Sequence, residues 1–203
     1  MRSFSVIHRA LSGPLRTISA RPRVPGMIAV RSFSSTNGPD VEDKLKELDA
    51  LRKTVGSDAD ETINLMSNIA NFLRDTGKLD GAAELYEEAE KKVTKKYGEF
   101  HPHTYSSKAN LGTVYGLMGK VDRGIPLLKE AVDGFKPLGE IYRMPRIQAL
   151  SYLSILLHRS GQLQEAVPCY EDAIEERKLA VSSGDSPPGE GDLRSMISTF
   201  MYH

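Results

Sequence analysis

The stretch DTGKLDGAAELYEEAEKK, residues 75–92, decides how this chain folds, because it is written again as LMGKVDRGIPLLKEAVDG at 117–134 and as RSGQLQEAVPCYEDAIEE at 159–176. Aligning Gly77, Gly119 and Gly161 gives two intervals of 42 residues, and the same register superposes Ala82, Gly124 and Ala166, then Ala89, Ala131 and Ala173. A fixed period of this length marks stacked supersecondary units, none of which buries its apolar face alone.

Each copy reads as two helices around its glycine. Upstream, apolar residues recur at helical spacing: Leu65, Ile69, Phe72 and Leu73, then Leu111, Val114, Tyr115 and Met118, then Leu150, Leu153, Leu156 and Leu157. Downstream, Asp80, Asp122 and Gln164 stand near the start of a second helix. Its expected buried face carries Ala82, Gly124 and Ala166, with Leu85, Leu127 and Val167, then Tyr86, Leu128 and Tyr170. Small residues at a helix crossing let two backbones approach, as an antiparallel hairpin requires. The shared glycine ends the first helix in the left-handed conformation that only glycine adopts without strain.

These residues resemble the tetratricopeptide repeat, in the long variant of kinesin light chains. The small, Gly, Ala, Tyr, Ala skeleton of that family falls on Ala70, Gly77, Ala82, Tyr86 and Ala89, on Gly112, Gly119, Gly124, Leu128 and Ala131, and on Ser154, Gly161, Ala166, Tyr170 and Ala173. FHPHT at 100–104 resembles the family's His-Pro turn between repeats, and Pro126 and Pro168 match its proline early in the second helix. Such a proline is expected in a first turn, where the amide it lacks has no partner anyway. The resemblance implies an all-α fold, a right-handed superhelical array of antiparallel helix hairpins, with repeats over 62–103, 104–145 and 146–187.

Flanking segments differ in composition. Residues 1–33 hold Arg2, Arg9, Arg16, Arg21, Arg23 and Arg31, several serines and no acid, the first carboxylate being Asp40. This reads as a mitochondrial transit peptide, and VRSFSS at 30–35 resembles a matrix-protease signal cut after Phe33. A disordered basic tail and a plastid leader are the competing readings. SSTNGPD at 34–40 reads as a linker. Over 41–61 a capping helix and loop are expected, with Val41, Leu45, Leu48 and Leu51 on one face and too few heptads for a coiled coil. After the turn-rich SSGDSPPGEG at 182–191, residues 188–203 place Leu193, Met196 and Phe200 at helical spacing, as a C-terminal cap or an incomplete fourth repeat.

The whole chain balances 27 basic against 27 acidic residues; without the six leader arginines, 21 face 27, a net charge of −6. Nucleic-acid binding is driven by clustered lysine and arginine, so that partner is not expected. No run approaches a membrane span. The roughly 170 residues past the leader suffice for a continuous repeat core but leave little room for a further enzymatic domain.

Chemistry-bearing residues are sparse. His101 and His103 flank Pro102 and could share a metal, but no cysteine or further histidine nearby in sequence completes a set. Cys169 is the single cysteine; as a nucleophile it would need a base, and His158, on the other helix of its hairpin, is not pinned to it. ELYEEAEKK and EDAIEERK read as solvated faces with charge pairs at helical spacing, and GKLDG and GKVDRG lack the spacing of a phosphate loop. No catalytic residue, metal or cofactor is assigned.

Function is therefore expected on the surface of the first helices, which in this family line a concave groove. The register places there Asn64, Ser67, Asn71 and Arg74, then Ala109, Asn110, Thr113 and Leu117, then Gln148, Ser151, Ile155 and His158. Asparagine and glutamine carry both donors and acceptors, which suits recognition of a peptide backbone. Asn71 and Asn110 also match the asparagines with which related repeats hold chaperone C-terminal carboxylates. Ser67, Ser151 and Ile155 stand where that clamp expects cations, so chaperone tails are disfavoured. The reading is a non-enzymatic adaptor in the mitochondrial matrix that binds another protein or peptide, in assembly of a respiratory or ATP-synthase complex. The alternatives are a structural subunit whose groove is permanently filled, favoured by Leu117 and Ile155 as exposed apolar residues, and a cytosolic kinesin-light-chain-like cargo adaptor.

Overall fold

The computed structural model describes residues 39–184, and every regular element among them is helical. The segments expected as a leader over 1–33 and a cap over 188–203 lie outside the described residues. Helix α1 spans Pro39–Thr54, α2 Asp60–Asp75, α3 Leu79–Tyr97, α4 Pro102–Leu117, α5 Val121–Phe135, α6 Arg143–Arg159 and α7 Leu163–Ser182, with short 3-10 turns at Lys136–Leu138 and Glu140–Tyr142. Consecutive helices pack on one another from α1 to α7, and α4 also touches α6. α2–α3, α4–α5 and α6–α7 are thus three hairpins, stacked in chain order.

The hairpin turn repeats in atomic detail. Gly77, Gly119 and Gly161 take φ of 79°, 76° and 79°. Each donates its amide to a carbonyl of the last helical turn, and the next residue's amide reaches further back: Lys78 to Leu73 at 2.8 Å, Lys120 to Tyr115 at 2.8 Å and Gln162 to Leu157 at 2.9 Å. This paired bonding satisfies helix-end carbonyls and reverses the chain within a few residues.

A second glycine series marks the turns between repeats, and it was not read from the sequence. Gly56, Gly98 and Gly139 also have positive φ. The buried Thr62 and Thr104 donate their hydroxyls to the carbonyls of Gly56 and Gly98, at 2.8 and 2.7 Å. His101 caps α4, its Nδ1 accepting the His103 amide at 3.2 Å, and Pro102 follows at the first helical position. The His-Pro turn is therefore a helix start.

Three expectations need correction. α1 begins at Pro39, so Pro39 and Asp40 belong to the helix rather than to the 34–40 linker. The first helices start at Asp60, Pro102 and Arg143, somewhat upstream of 62, 104 and 146. Pro126 and Pro168 are not in a first turn: α5 starts at Val121 and α7 at Leu163, so each proline is the sixth helical residue and removes one internal hydrogen bond.

One apolar cluster joins α1 through α4, with Val41, Leu48, Met66, Ile69, Tyr86 and Tyr115 buried. Leu45, expected on the buried face of α1, is 39% exposed. The second cluster joins α5 to α7 through Leu128, Phe135, Leu153, Leu157 and Ala166. Packing is closest in the middle hairpin. A Cβ at Gly112 would lie 3.0 Å from the Gly124 carbonyl, a Cβ at Gly124 2.8 Å from the Gly112 carbonyl, and Leu156 of the next hairpin fills the space left beside Gly116.

Candidate functional site

Stacking the hairpins sets α2, α4 and α6 side by side, and two adjoining cavities open along them. One, of about 560 Å³, takes Asn71 and Arg74 from α2, Ala109, Asn110 and Thr113 from α4, and Gln148 and Tyr152 from α6, with Asp75, Ser106, Phe135 and Pro145 completing its wall. The other, of about 390 Å³, lies between α2, α3 and α4, lined by Asn64, Ser67, Asn110 and His103 among others. Ser106 and Asn110 line both, so the two adjoin along α4. Volumes of this size are those of ordinary ligand sites.

Of the twelve residues placed in the groove from the sequence, eight line these cavities. Leu117, Ser151, Ile155 and His158 do not. Leu117 is exposed, whereas Ile155 is half-buried, so the pair of exposed apolar residues expected here reduces to one. Ser151 turns its hydroxyl onto the Ile147 carbonyl at 2.7 Å. Thr113 reaches the cavity wall but is buried and donates to the Ala109 carbonyl at 2.8 Å, so its hydroxyl is spent within its own helix.

Tyr152 was missed, although the signal was present: it stands 42 residues after Asn110, at the same register position. Phe135 comes from the end of a second helix, which a register drawn on first helices does not reach, and Pro145, in the first turn of α6, lies just ahead of the repeat start expected at 146. Phe135 is held edge-on by Tyr105 and stacked by Tyr142, ring centroids 5.9 Å apart in both pairs.

Polar groups around the groove are held in place. The buried Tyr86 donates its hydroxyl to the Asn71 side-chain carbonyl at 2.5 Å, and burial pushes the phenol up to about 12. Arg74 is bound to Asp75, its Nε and a terminal nitrogen each 2.9 Å from one carboxylate oxygen. At the mouth of the smaller cavity Asp60 accepts from Lys96, at 2.7 Å, and from the Tyr97 hydroxyl; these bonds, the lysine's first, hold its carboxyl below the usual range. Tyr97 stacks on His101 at 4.6 Å and meets His103 edge-on at 5.4 Å. Among the described residues no three histidine, cysteine or acidic side chains come together as a metal site would need. Burial, and then the Asp172 carboxylate, pushes the Cys169 thiol up, which keeps thiolate scarce.

The sequence profile of the tetratricopeptide repeat matches residues 61–136 and 104–175, which together cover more than half of the chain. The chain belongs to the tetratricopeptide repeat family. Solved structures of kinesin-light-chain-like tetratricopeptide repeat proteins share its fold. BtubC (BKLC) from P. vanneervenii is 23% identical with a TM-score of 0.64, the match covering 72% of this chain and 58% of that one. A kinesin-light-chain-like protein of Podosopora anserina with nearly identical TPR-like repeats is 22% identical with a TM-score of 0.61, over 68% of this chain and 66% of that one. A single-substitution variant of that protein is 21% identical with a TM-score of 0.62, over 72% of this chain and 69% of the variant. A search of curated proteins found no match. Tetratricopeptide repeats are protein-interaction modules, so the repeats of this chain indicate a protein partner. No helix among the described residues is long and apolar enough to cross a membrane.

Proposed function

We propose that this chain is a non-enzymatic adaptor of the mitochondrial matrix that holds a partner protein in the groove of its first helices. One observation carries the reading: the larger cavity draws side chains from all three first helices, so a ligand lying in it engages every repeat at once. The matrix address rests on the arginine-rich, acid-free residues 1–33. By analogy with small repeat proteins of that compartment, the role we assign is assembly of a respiratory or ATP-synthase complex. A built-in structural subunit is the second reading, and exposed Leu117 at the edge of α4 favours it.

The test is a native-gel profile of purified mitochondria with mass spectrometry of the chain's size and N-terminus. Migration with a large complex, beginning at or near Ser34, is the expected result and names the partner. Recovery only in the cytosol, with Met1 or Arg2 intact, overturns the matrix assignment and favours a cargo adaptor.

A further inference from the structure

The turn between α1 and α2 carries GSDADE, residues 56–61, and three lysines of α3 close around it. Ser57 is exposed; its hydroxyl accepts from Lys92 Nζ at 3.2 Å and donates to the Asp58 carboxylate at 3.2 Å. Asp58 accepts from Lys92 at 2.8 Å and from Lys95 at 3.3 Å, and these bonds, that of Lys92 first, hold its carboxyl down at about 2. Lys96 reaches the Asp58 main-chain carbonyl at 3.4 Å and the Asp60 carboxylate at 2.7 Å. α2 then starts from Ala59, an N-cap with no side-chain acceptor, whereas His101, at the same register position, caps α4. An exposed hydroxyl therefore stands between ammonium groups and an uncapped helix start, and both favour an added anion.

We propose that Ser57 is a phosphorylation site and that its phosphate staples the α1–α2 turn to α3. Asp58, Asp60 and Glu61 follow the serine closely, the charge pattern that suits a kinase with a basic substrate cleft. The kinase moves the γ-phosphoryl group of a nucleoside triphosphate to Ser57 Oγ. The new P–Oγ bond forms as the bond from the γ-phosphorus to the bridging oxygen breaks; that electron pair leaves with the nucleoside diphosphate, and the hydroxyl proton passes to the kinase's base. The product carries a charge of about −1.5 to −2 at neutral pH and three acceptor oxygens. Asp58, Asp60 and Glu61 oppose the new charge, but Asp58 and Asp60 are already matched by lysines. Each ammonium has three donors. Lys92 already touches the atom on which the phosphate is built, and Lys95, with a side chain 78% exposed, is free to swing toward it.

The experiment treats the full chain with an acid-directed serine kinase and MgATP, and separately prepares the chain with Ser57→phosphoserine encoded during synthesis. Mass spectrometry is expected to place the enzymatic phosphate on Ser57, and Ser57→Ala should abolish it. The encoded phosphoserine should raise the melting temperature by about 2–4 °C, the shift that a modest surface gain produces in a chain of this size. It should also slow hydrogen exchange across residues 55–60. In the double variant Lys92→Ala, Lys95→Ala, measured with and without the phosphate, the rise should vanish, and the phosphate's titration midpoint, read by phosphorus NMR, should move up. A kinase that labels an acidic control peptide but leaves Ser57 bare overturns the proposal. So does a phosphorylated chain that melts no higher than its parent, or a rise that survives the loss of both lysines.

Discussion

At Gly124 an added methyl would meet the Gly112 carbonyl oxygen at 2.8 Å and the Leu156 side chain at 3.0 Å, and a backbone atom cannot swing aside. Gly81, in the first turn of α3, would place the same methyl 3.3 Å from the flexible tip of Leu73. One substitution should therefore have opposite signs at the two sites. Gly124→Ala forces the middle hairpin apart at a cost of about 1–3 kcal/mol, which exceeds the gain in helix propensity of about 1 kcal/mol. Gly81→Ala keeps that gain and should stabilise by up to about 1 kcal/mol. Urea midpoints at unchanged slope check both, and a Gly124→Ala chain as stable as its parent would contradict the packing described. The tyrosines make a second residue-level prediction. Tyr86 and Tyr115 are each pushed up to about 12, chiefly by burial, whereas an unfolded phenol titrates at about 10. Between those values the folded chain holds protons that the unfolded chain has released. Stability is thus complete below about pH 10 and falls as pH rises toward 12. Melting temperatures across that window should decline, and Tyr86→Phe should flatten the decline; an equal slope in the variant would remove Tyr86 from the account.

The elements were legible where one residue type answers one geometric demand. Gly77, Gly119 and Gly161 could be read because the helix-ending turn needs positive φ, and their constant spacing then fixed the hairpins. Gly56 and Gly98 meet the same demand, but they lie between repeats, where Gly139 comes one residue early in the period and no threonine follows it. The proline error has a similar origin: reading Pro126 and Pro168 as first-turn residues assumed a later helix start, and the bond pattern after each glycine starts the second helix at Val121 and Leu163. The groove was legible wherever the first-helix register alone decides exposure, as at Asn110 and Gln148. It failed at Thr113, where burial overrides register, and at Phe135, which another helix supplies. The missed turn makes its own prediction. Thr104→Val keeps the shape of the buried side chain but takes from the carbonyl of exposed Gly98 its 2.7 Å partner. Destabilisation of about 0.5–1.5 kcal/mol is expected by urea unfolding, and an unchanged midpoint would mean that the hydroxyl only fills space.

Across the whole molecule, a stacked array has no single centre, and its stability is approximately a sum of hairpin terms and contacts between neighbours. The middle hairpin is flanked on both sides. α4 buries the run Leu111 to Gly116 against repeats before and after it, and α5 buries Leu128, Ala131, Gly134 and Phe135. The ends have fewer such contacts: α1 is anchored by Val41 and Leu48, and α7 buries Ala166, Ala173 and Ala180 while Leu163, Leu179 and Val181 stay exposed. Local opening should therefore be graded along the array, cheapest at α1 and α7 and most costly at α4 and α5. Native-state hydrogen exchange is expected to show this order, with amides in the buried run of α4 the last to exchange. An occupied groove binds α2, α4 and α6 together, so a ligand there should slow exchange in α2 and α6 more than in α4, which is already protected from both sides. Uniform exchange in the free chain would mean that the hairpins open as one unit, and a ligand effect confined to α4 would mean that the groove does not span the repeats.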